Sequence, residues 1–238
     1  MSTTARQGRY GIDAPYAPAM MGFGALLFLG LALVPNMRMF ALSGGLLALM
    51  TACFLHTTLR GKFVVWDRVL DELGLRGDDR LLDLGCGRGA VLLLAAQRLP
   101  CGKAVGIDIW SSTDQSGNAM AATEANAKLE GVADRVELHT ADMRKLPFAD
   151  ASFDVVVSNL AIHNIPSAAD RALAIAEAWR VLAPGGRLRI ADFRHVAAYS
   201  RQLTTLGAAG LRTSGLGWRM WWGGPWVATR LIEARKPA

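Results

Sequence analysis

An apolar strand that runs straight into a glycine-rich turn leaves a chain few ways to fold. Here the strand is Leu81-Leu82-Asp83-Leu84, the turn carries Gly85, Gly87 and Gly89, and Ala90 opens a helical pattern that lasts to residue 99. Glycines let backbone N–H groups approach a ligand where a Cβ would block them. The sharp turn also sets the unpaired donors of a helix N-terminus beside that ligand. The pattern predicts a strand–turn–helix unit that holds a nucleotide-like cofactor. Two loops fit it: a dinucleotide fingerprint, as Gly85-x-Gly87-x-x-Ala90, and a nucleoside loop, as Asp83-x-Gly85-x-Gly87-x-Gly89.

Strand and helix patterns alternate downstream. Strands are predicted over residues 80–84, 103–109, 136–140, 153–158 and 187–193, and helices over 90–99, 116–130 and 168–182. The Val155-Val156-Val157 run suits a strand buried on both faces. Such βαβ repetition predicts an α/β fold with a parallel sheet covered by helices on both faces. Ligands then bind at the carboxyl ends of the strands. Chemically useful side chains gather at those ends. Asp83 precedes the turn. Asp108 ends the second strand, about 20 residues past the turn, where an acidic side chain reaches ribose hydroxyls. Asp142 and Met143 follow the third strand, and Ser158, Asn159 and His163 end or follow the fourth. Asp192 ends the fifth. His163 is the leading candidate for a catalytic base because imidazole titrates near neutral pH, and His195 is a weaker one.

The N-terminal third is different. Residues 17–34 and 39–55 contain no charged side chain, and Pro35-Asn36-Met37-Arg38 lies between them. Each stretch reaches the length of about 17–18 residues at which a helix begins to cross a hydrocarbon core of roughly 30 Å. The expectation is a two-helix transmembrane hairpin over residues 17–59, after a disordered tail at 1–16 and before an amphipathic linker helix at 60–77. Gly44, Ala48 and Ala52 would let the two helices approach closely. Trp66 suits either the headgroup level or a core position. Arg6 and Arg9 before the hairpin, and Arg60, Lys62 and Arg68 after it, place both ends in the cytoplasm at an inner or plasma membrane. Four of the seven tryptophans lie between residues 218 and 226, which predicts a membrane contact or a packed hairpin.

The net charge is +6 over 238 residues, and the 26 basic residues form no run of five. No nucleic-acid partner is therefore expected. The three cysteines show no metal-ligand spacing, so no metal is expected. Oligomeric state is left open.

Five further segments carry a resemblance: Asp83-Leu-Gly-Cys-Gly-Arg-Gly89, Gly106-Ile-Asp-Ile109, Ala141-Asp-Met-Arg-Lys-Leu-Pro-Phe148, Ser152-Phe-Asp-Val-Val-Val157 and Val181-Leu-Ala-Pro-Gly-Gly-Arg187. In this order and spacing, over about residues 78–195, the chain resembles the class I methyltransferases that use S-adenosylmethionine (SAM), and the domain is expected at residues 78–238. Leu146-Pro-Phe148 and Ile162-His-Asn-Ile165 look most like the ubiquinone/menaquinone (type 11) branch. The resemblance implies a Rossmann-like, seven-stranded, mostly parallel sheet with an antiparallel end. It implies that Asp83, Gly85 and Gly87 hold the methionine moiety of SAM, and that Asp108 binds the ribose. Ile109 and Trp110 would flank the adenine, Asp142 would bond its amino group with Met143 alongside, and Ser158 would line the methyl-transfer side. The hairpin is not part of the family pattern, and the Asn/Asp-Pro-Pro-Tyr element of nucleobase enzymes is missing. The implied function is a membrane-anchored methyltransferase for a lipophilic small molecule or lipid. The alternatives are a protein or RNA methyltransferase, or a non-catalytic SAM-binding membrane module.

Overall fold

The computed structural model describes residues 6–238. Its helices are α1 (Tyr16–Leu31), α2 (Phe40–His56), α3 (Lys62–Leu73), α4 (Ala90–Ala96), α5 (Met120–Leu129), α6 (Ala168–Val181) and α7 (Val196–Thr205). Its strands are β1 (Arg80–Leu84), β2 (Lys103–Asp108), β3 (Val136–Thr140), β4 (Phe153–Asn159), β5 (Leu182–Asp192), β6 (Ala209–Gly215) and β7 (Arg230–Arg235). They form one seven-stranded sheet in the order β3-β2-β1-β4-β5-β7-β6. The pairs from β3 to β5 are parallel, and β7 is antiparallel to both β5 and β6. The expected Rossmann-like sheet is therefore present. Strand order turns back between β1 and β4, so the connections leaving their carboxyl ends diverge and open a crevice there. Two antiparallel pairings make β6 point the same way as β5. The β6–β7 connection, residues 216–229, thus emerges at the same carboxyl edge.

Side chains alternate across the central strands. Leu81, Val155 and Val157 pack on one face with α3 and α4, and Leu82, Leu84 and Val156 pack on the other with α6 and α7. Pro184-Gly185-Gly186 does not end a helix ahead of a strand, as its composition suggests. It lies inside β5 as an irregularity against β4, where Gly185 takes a positive φ and donates to the Lys236 carbonyl.

The two apolar stretches form an antiparallel pair. The Gly44 backbone lies against Leu29, Gly24 against Leu47, and Phe28 stacks on Phe40. Gly44, Leu47 and Thr51 make the contact face, while Ala48 and Ala52 point outward, contrary to the spacing argument. Met20, Phe23, Leu26, Leu42 and Leu49 are each more than half exposed. The helix does not stop after His56. A π-helical turn, Thr57–Gly61, carries it into α3, so the linker helix is not a separate element. Among the described residues, one helix, Phe40–Leu73 at 34 residues, is long and apolar enough to cross a membrane, whereas the apolar Tyr16–Leu31 is shorter. The expected pair of full-length spans is corrected to that extent. No proline interrupts residues 56–62, and Gly61 lets the helix pass the 218–221 segment, because a Cβ there would meet the Arg219 carbonyl. Trp66 is 1% exposed and belongs to the core.

The first five residues of the expected disordered tail lie outside the described residues. The remainder is ordered. Gly8 N and Tyr10 Oη donate to Glu130 Oε1, Arg9 N to Asn126 Oδ1, and Ile12 N to Ser116 Oγ. Side chains of α5 and of the residues flanking it thus satisfy the tail's backbone donors, while Arg6, Gln7 and Arg9 stay exposed.

Candidate functional site

The glycine turn closes back on the second strand. Gly85 N and Cys86 N both donate to the Ile107 carbonyl, at 2.9 and 3.0 Å. Gly85 has φ +73°, and the space a side chain would need is taken by Ala161 of the β4 connection. Gly87 has φ +51°, a region that strains other residues. Asp108, at the end of β2, holds this turn. Its Oδ2 accepts from Gly87 N at 2.8 Å, and its Oδ1 accepts from Trp110 N at 2.6 Å and Asn118 Nδ2 at 3.3 Å. Trp110 sits at φ +61° with its indole N–H on Thr140 Oγ1 at 2.7 Å. Ile109 is held 67% exposed beside it. A bulky residue at positive φ carries local strain, and here core packing and the bonds to Asp108 and Thr140 hold it in place.

Asp83 is buried beneath the turn. Burial first, and the charge of Asp108 second, push its carboxyl up to about 8. Its Oδ1 and the Oδ1 of Asn159 are buried without a hydrogen-bond partner among the described residues. Buried polar atoms are rarely left so. These orphaned acceptors, together with the side-chain-free glycine turn and the Asp108 carboxylate, fit a polar nucleoside cofactor with hydroxyl and amine donors.

Gln115 was not singled out in the sequence. Its Oε1 accepts from Arg88 N in the turn at 2.9 Å, and its Nε2 donates to the Tyr10 carbonyl and to Asp13 Oδ1. Asp13 Oδ2 in turn accepts from Thr58 Oγ1 at 2.7 Å and Lys62 Nζ at 2.6 Å. Lys62 is 2% exposed. A signal for it existed: the helical period that buries Trp66, Val69 and Leu73 also places Lys62 on the apolar stripe.

Asp142 does not stand free at the site. Arg144 donates to both of its oxygens through Nε and bridges on to Asp170. Those bonds hold the Asp142 carboxyl below its usual range. Met143 does reach the turn, close to Gly85. The Ser158 hydroxyl is buried and donates to the Leu84 carbonyl at 2.9 Å, locking β4 to β1.

His163 lies in a single 3-10 turn after β4, its ring 4.6 Å from that of Phe193. Its Nδ1 is 2.9 Å from Asp192 Oδ1, close enough for an ion pair but out of line for a hydrogen bond. Its backbone N–H donates to Asp192 Oδ2 at 3.2 Å. Asp192 is 1% exposed and also accepts from the amides of Phe193 and Arg194. Tyr199 is buried nearby, and burial followed by the Asp192 charge raises its hydroxyl above the ordinary range. His195 instead takes φ +57° ahead of α7, where burial and Arg171 lower its imidazole. The carboxyl edge thus brings Asp83, Gly85, Gly87, Asp108, Ile109, Trp110, Met143 and His163 together. A cavity of about 500 Å³ lined by Arg187, Arg189 and Arg212 opens beside the C-terminal end of α3, away from this edge.

Residues 82–190 match a family described as a methyltransferase domain. The chain is 40% identical over 129 residues to the 27-O-demethylrifamycin SV methyltransferase of Amycolatopsis mediterranei, covering 53% of this chain and 43% of that protein. It is 38% identical over 131 residues to the ubiquinone/menaquinone biosynthesis C-methyltransferase of Dinoroseobacter shibae, covering 54% of this chain and 48% of that one. The chain therefore spans about half the length of these curated relatives. Geranyl diphosphate C-methyltransferase from Streptomyces coelicolor A3(2) superimposes with a TM-score of 0.57 at 17% identity, over 72% of this chain and 74% of that one, and so shares the fold. The sheet order, the glycine turn tied to Asp108 and these matches agree: residues 82–190 are similar to methyltransferase domains, and the fold is the one shared by class I enzymes that use SAM.

Proposed function

We propose that this chain moves the methyl group of SAM to a lipophilic small molecule or lipid, from a domain anchored by residues 17–59 at the cytoplasmic face of an inner or plasma membrane. SAM, when bound, supplies a methyl already activated on a sulfonium. The protein's own work is proximity, orientation and exclusion of water for an in-line displacement. Gly85 and Gly87 form the floor, and Asp83 faces the methionine end. Asp108 would serve the ribose through the remaining lone pairs of a carboxylate whose two oxygens also hold Gly87 N and Trp110 N. Ile109, Trp110 and Met143 flank the adenine, and Asp142 reaches its amino group only by exchanging part of its contact with Arg144. Where the acceptor carries a proton, His163 takes it, and Asp192 orients the ring and stabilises the imidazolium.

The observation that carries this reading is the Gly87–Asp108 contact at the same edge as the His163–Asp192 pair. Both relatives are named for small molecules, which favours a small-molecule acceptor. The exposed leucines and phenylalanine of the α1–α2 pair favour a lipid environment, because burying each such side chain is worth about 1.5–3 kcal/mol. The test incubates membranes with labelled SAM, with and without the protein, and then extracts lipids. Label in the lipid extract is expected. Label only in protein or RNA would overturn the choice of acceptor.

A further inference from the structure

We infer that the carboxyl edge of the sheet faces the bilayer, with Trp218, Trp226, Arg60 and Arg219 forming a belt among the lipid headgroups. The inference rests on the membrane anchoring proposed above and deepens it: it sets the orientation of the domain and the route of the acceptor.

Topology supplies the first support. Residues 216–229 leave β6 at the same edge as the glycine turn, Asp108 and Asp192. Contacts supply the second. This connection wraps the stretch where the apolar helix enters the domain. Thr57 Oγ1 and Cys53 Sγ both donate to the Trp221 carbonyl, at 2.7 and 3.4 Å. His56 stacks on Trp218 with ring centroids 4.7 Å apart, and Phe54 meets Trp222 edge-on at 5.1 Å. Gly223 lies against Met21 and Met50, one from each helix of the pair. The change from apolar hairpin to folded domain and the active edge of the sheet therefore lie at one level.

The chemistry of the exposed residues supplies the third. Met220 and Trp222 are buried and anchor the connection, but Trp218 is 50% and Trp226 64% exposed. Arg219 lies 4.8 Å over the Trp218 ring, and Arg60 is exposed on the π-helical turn beside Leu59. Exposed indoles mixed with arginines at the end of an apolar helix suit the headgroup zone, where the ring meets acyl chains and the N–H and guanidinium meet phosphate and water. A second copy of the chain would offer no reason for the belt to sit at the hairpin's base, so the bilayer is the occupant to which these features point.

The consequence concerns the acceptor. It is an amphiphile whose reacting head lies at headgroup depth while its tail stays in the membrane. The N-terminal strap links this level to the cofactor turn directly, through Asp13 to Thr58 and Lys62 on the helix and to Gln115 over the turn.

The test uses the full chain reconstituted in phosphatidylcholine–phosphatidylglycerol vesicles carrying lipids brominated either near the headgroup or deep in the acyl chain. Tryptophan emission of the wild type, of Trp218→Phe, of Trp226→Phe and of the double variant is compared after flotation. We expect shallow bromines to quench the wild type more than deep ones, each single variant to lose part of that quenching, and the double variant to lose most of it. Buried Trp66 and Trp179 supply an internal reference. Flotation with undiminished quenching in the double variant would overturn the belt while leaving the anchor standing. Failure to float would overturn the anchor itself. Self-association at this face without quenching would assign it to a second copy and likewise overturn the belt.

Discussion

The amide of Gly87 donates to Oδ2 of Asp108 at 2.8 Å, across 21 positions of chain. One carboxylate thereby shapes the glycine turn through Oδ2 and holds Trp110 N and Asn118 Nδ2 at the same edge through Oδ1. The two roles are coupled, so a substitution at residue 108 disturbs both.

Asp108→Ala should lower SAM affinity by about 10–100-fold, the equivalent of one hydrogen bond to a charged group. Asp108→Asn, which keeps one acceptor, should lower it less. Titration calorimetry checks both, and unchanged affinity in the alanine variant would remove Asp108 from the site.

Asp83 predicts a pH dependence. Its folded carboxyl titrates at about 8, against an ordinary value of 3.8. Between those pH values the folded protein holds a proton that the unfolded chain has lost. The contribution of Asp83 to stability therefore falls as pH rises from about 4 to about 8, and is flat above. Denaturation midpoints of the wild type should decline through that window relative to Asp83→Asn. Parallel profiles for the two proteins would refute the shift. A cationic ligand group at Asp83 would favour its charged form, so SAM binding at neutral pH should release a proton in the wild type and not in Asp83→Asn. Calorimetry in buffers of different ionisation enthalpy reads this release.

His163→Ala and Asp192→Asn should each slow methyl transfer to a protic acceptor by about 10²–10⁴-fold, the usual range for a general base, while leaving SAM affinity little changed. The asparagine keeps one acceptor oxygen, which can still take the amides of residues 193 and 194, whereas alanine would break these as well as the contact from His163. The acidic limb of the kcat–pH profile should disappear in His163→Ala. Retention of that limb would assign the imidazole a packing role.

Asp13→Ala strands the Lys62 ammonium in a site 2% exposed. Breaking a buried pair from one side costs about 3–5 kcal/mol, and removing both charges costs less. The denaturant midpoint should drop in Asp13→Ala and recover in Asp13→Ala/Lys62→Met. Failure of the second substitution to recover stability would show that Asp13 acts mainly through Thr58 and Gln115.

Much of the sheet was legible because its signals are local. β1 is the apolar run that ends at the glycine turn, β3 follows its Val136–Leu138 alternation, and the glycine turn announced α4. Helix and strand ends were harder. The 116–130 helix begins only at Met120, because residues 111–118 stand over the turn and are held there by Gln115 and Asn118. At the site, Asp108 and His163 could be placed by their position at strand ends. Ser158 could not be judged that way. Its residue type suits a polar site, but the carbonyl of Leu84, 74 positions away, takes its hydroxyl. Asp142 was read from its position after β3, whereas its neighbour Arg144 occupies its oxygens.

By itself, the sequence determined the order of elements, the cofactor loop and the apolar character of residues 17–55, because periodicity, glycine placement and hydropathy act within a few residues. Only the tertiary structure decided that residues 6–15 strap the turn, that α2 runs unbroken into α3, and that the Trp218–Trp226 segment packs on Cys53, His56 and Thr57. These depend on contacts such as Thr57 to Trp221, 164 positions apart, for which no local pattern exists. Their free energy comes from burial and hydrogen bonds completed only once the sheet has brought β6 and the helix base to the same edge.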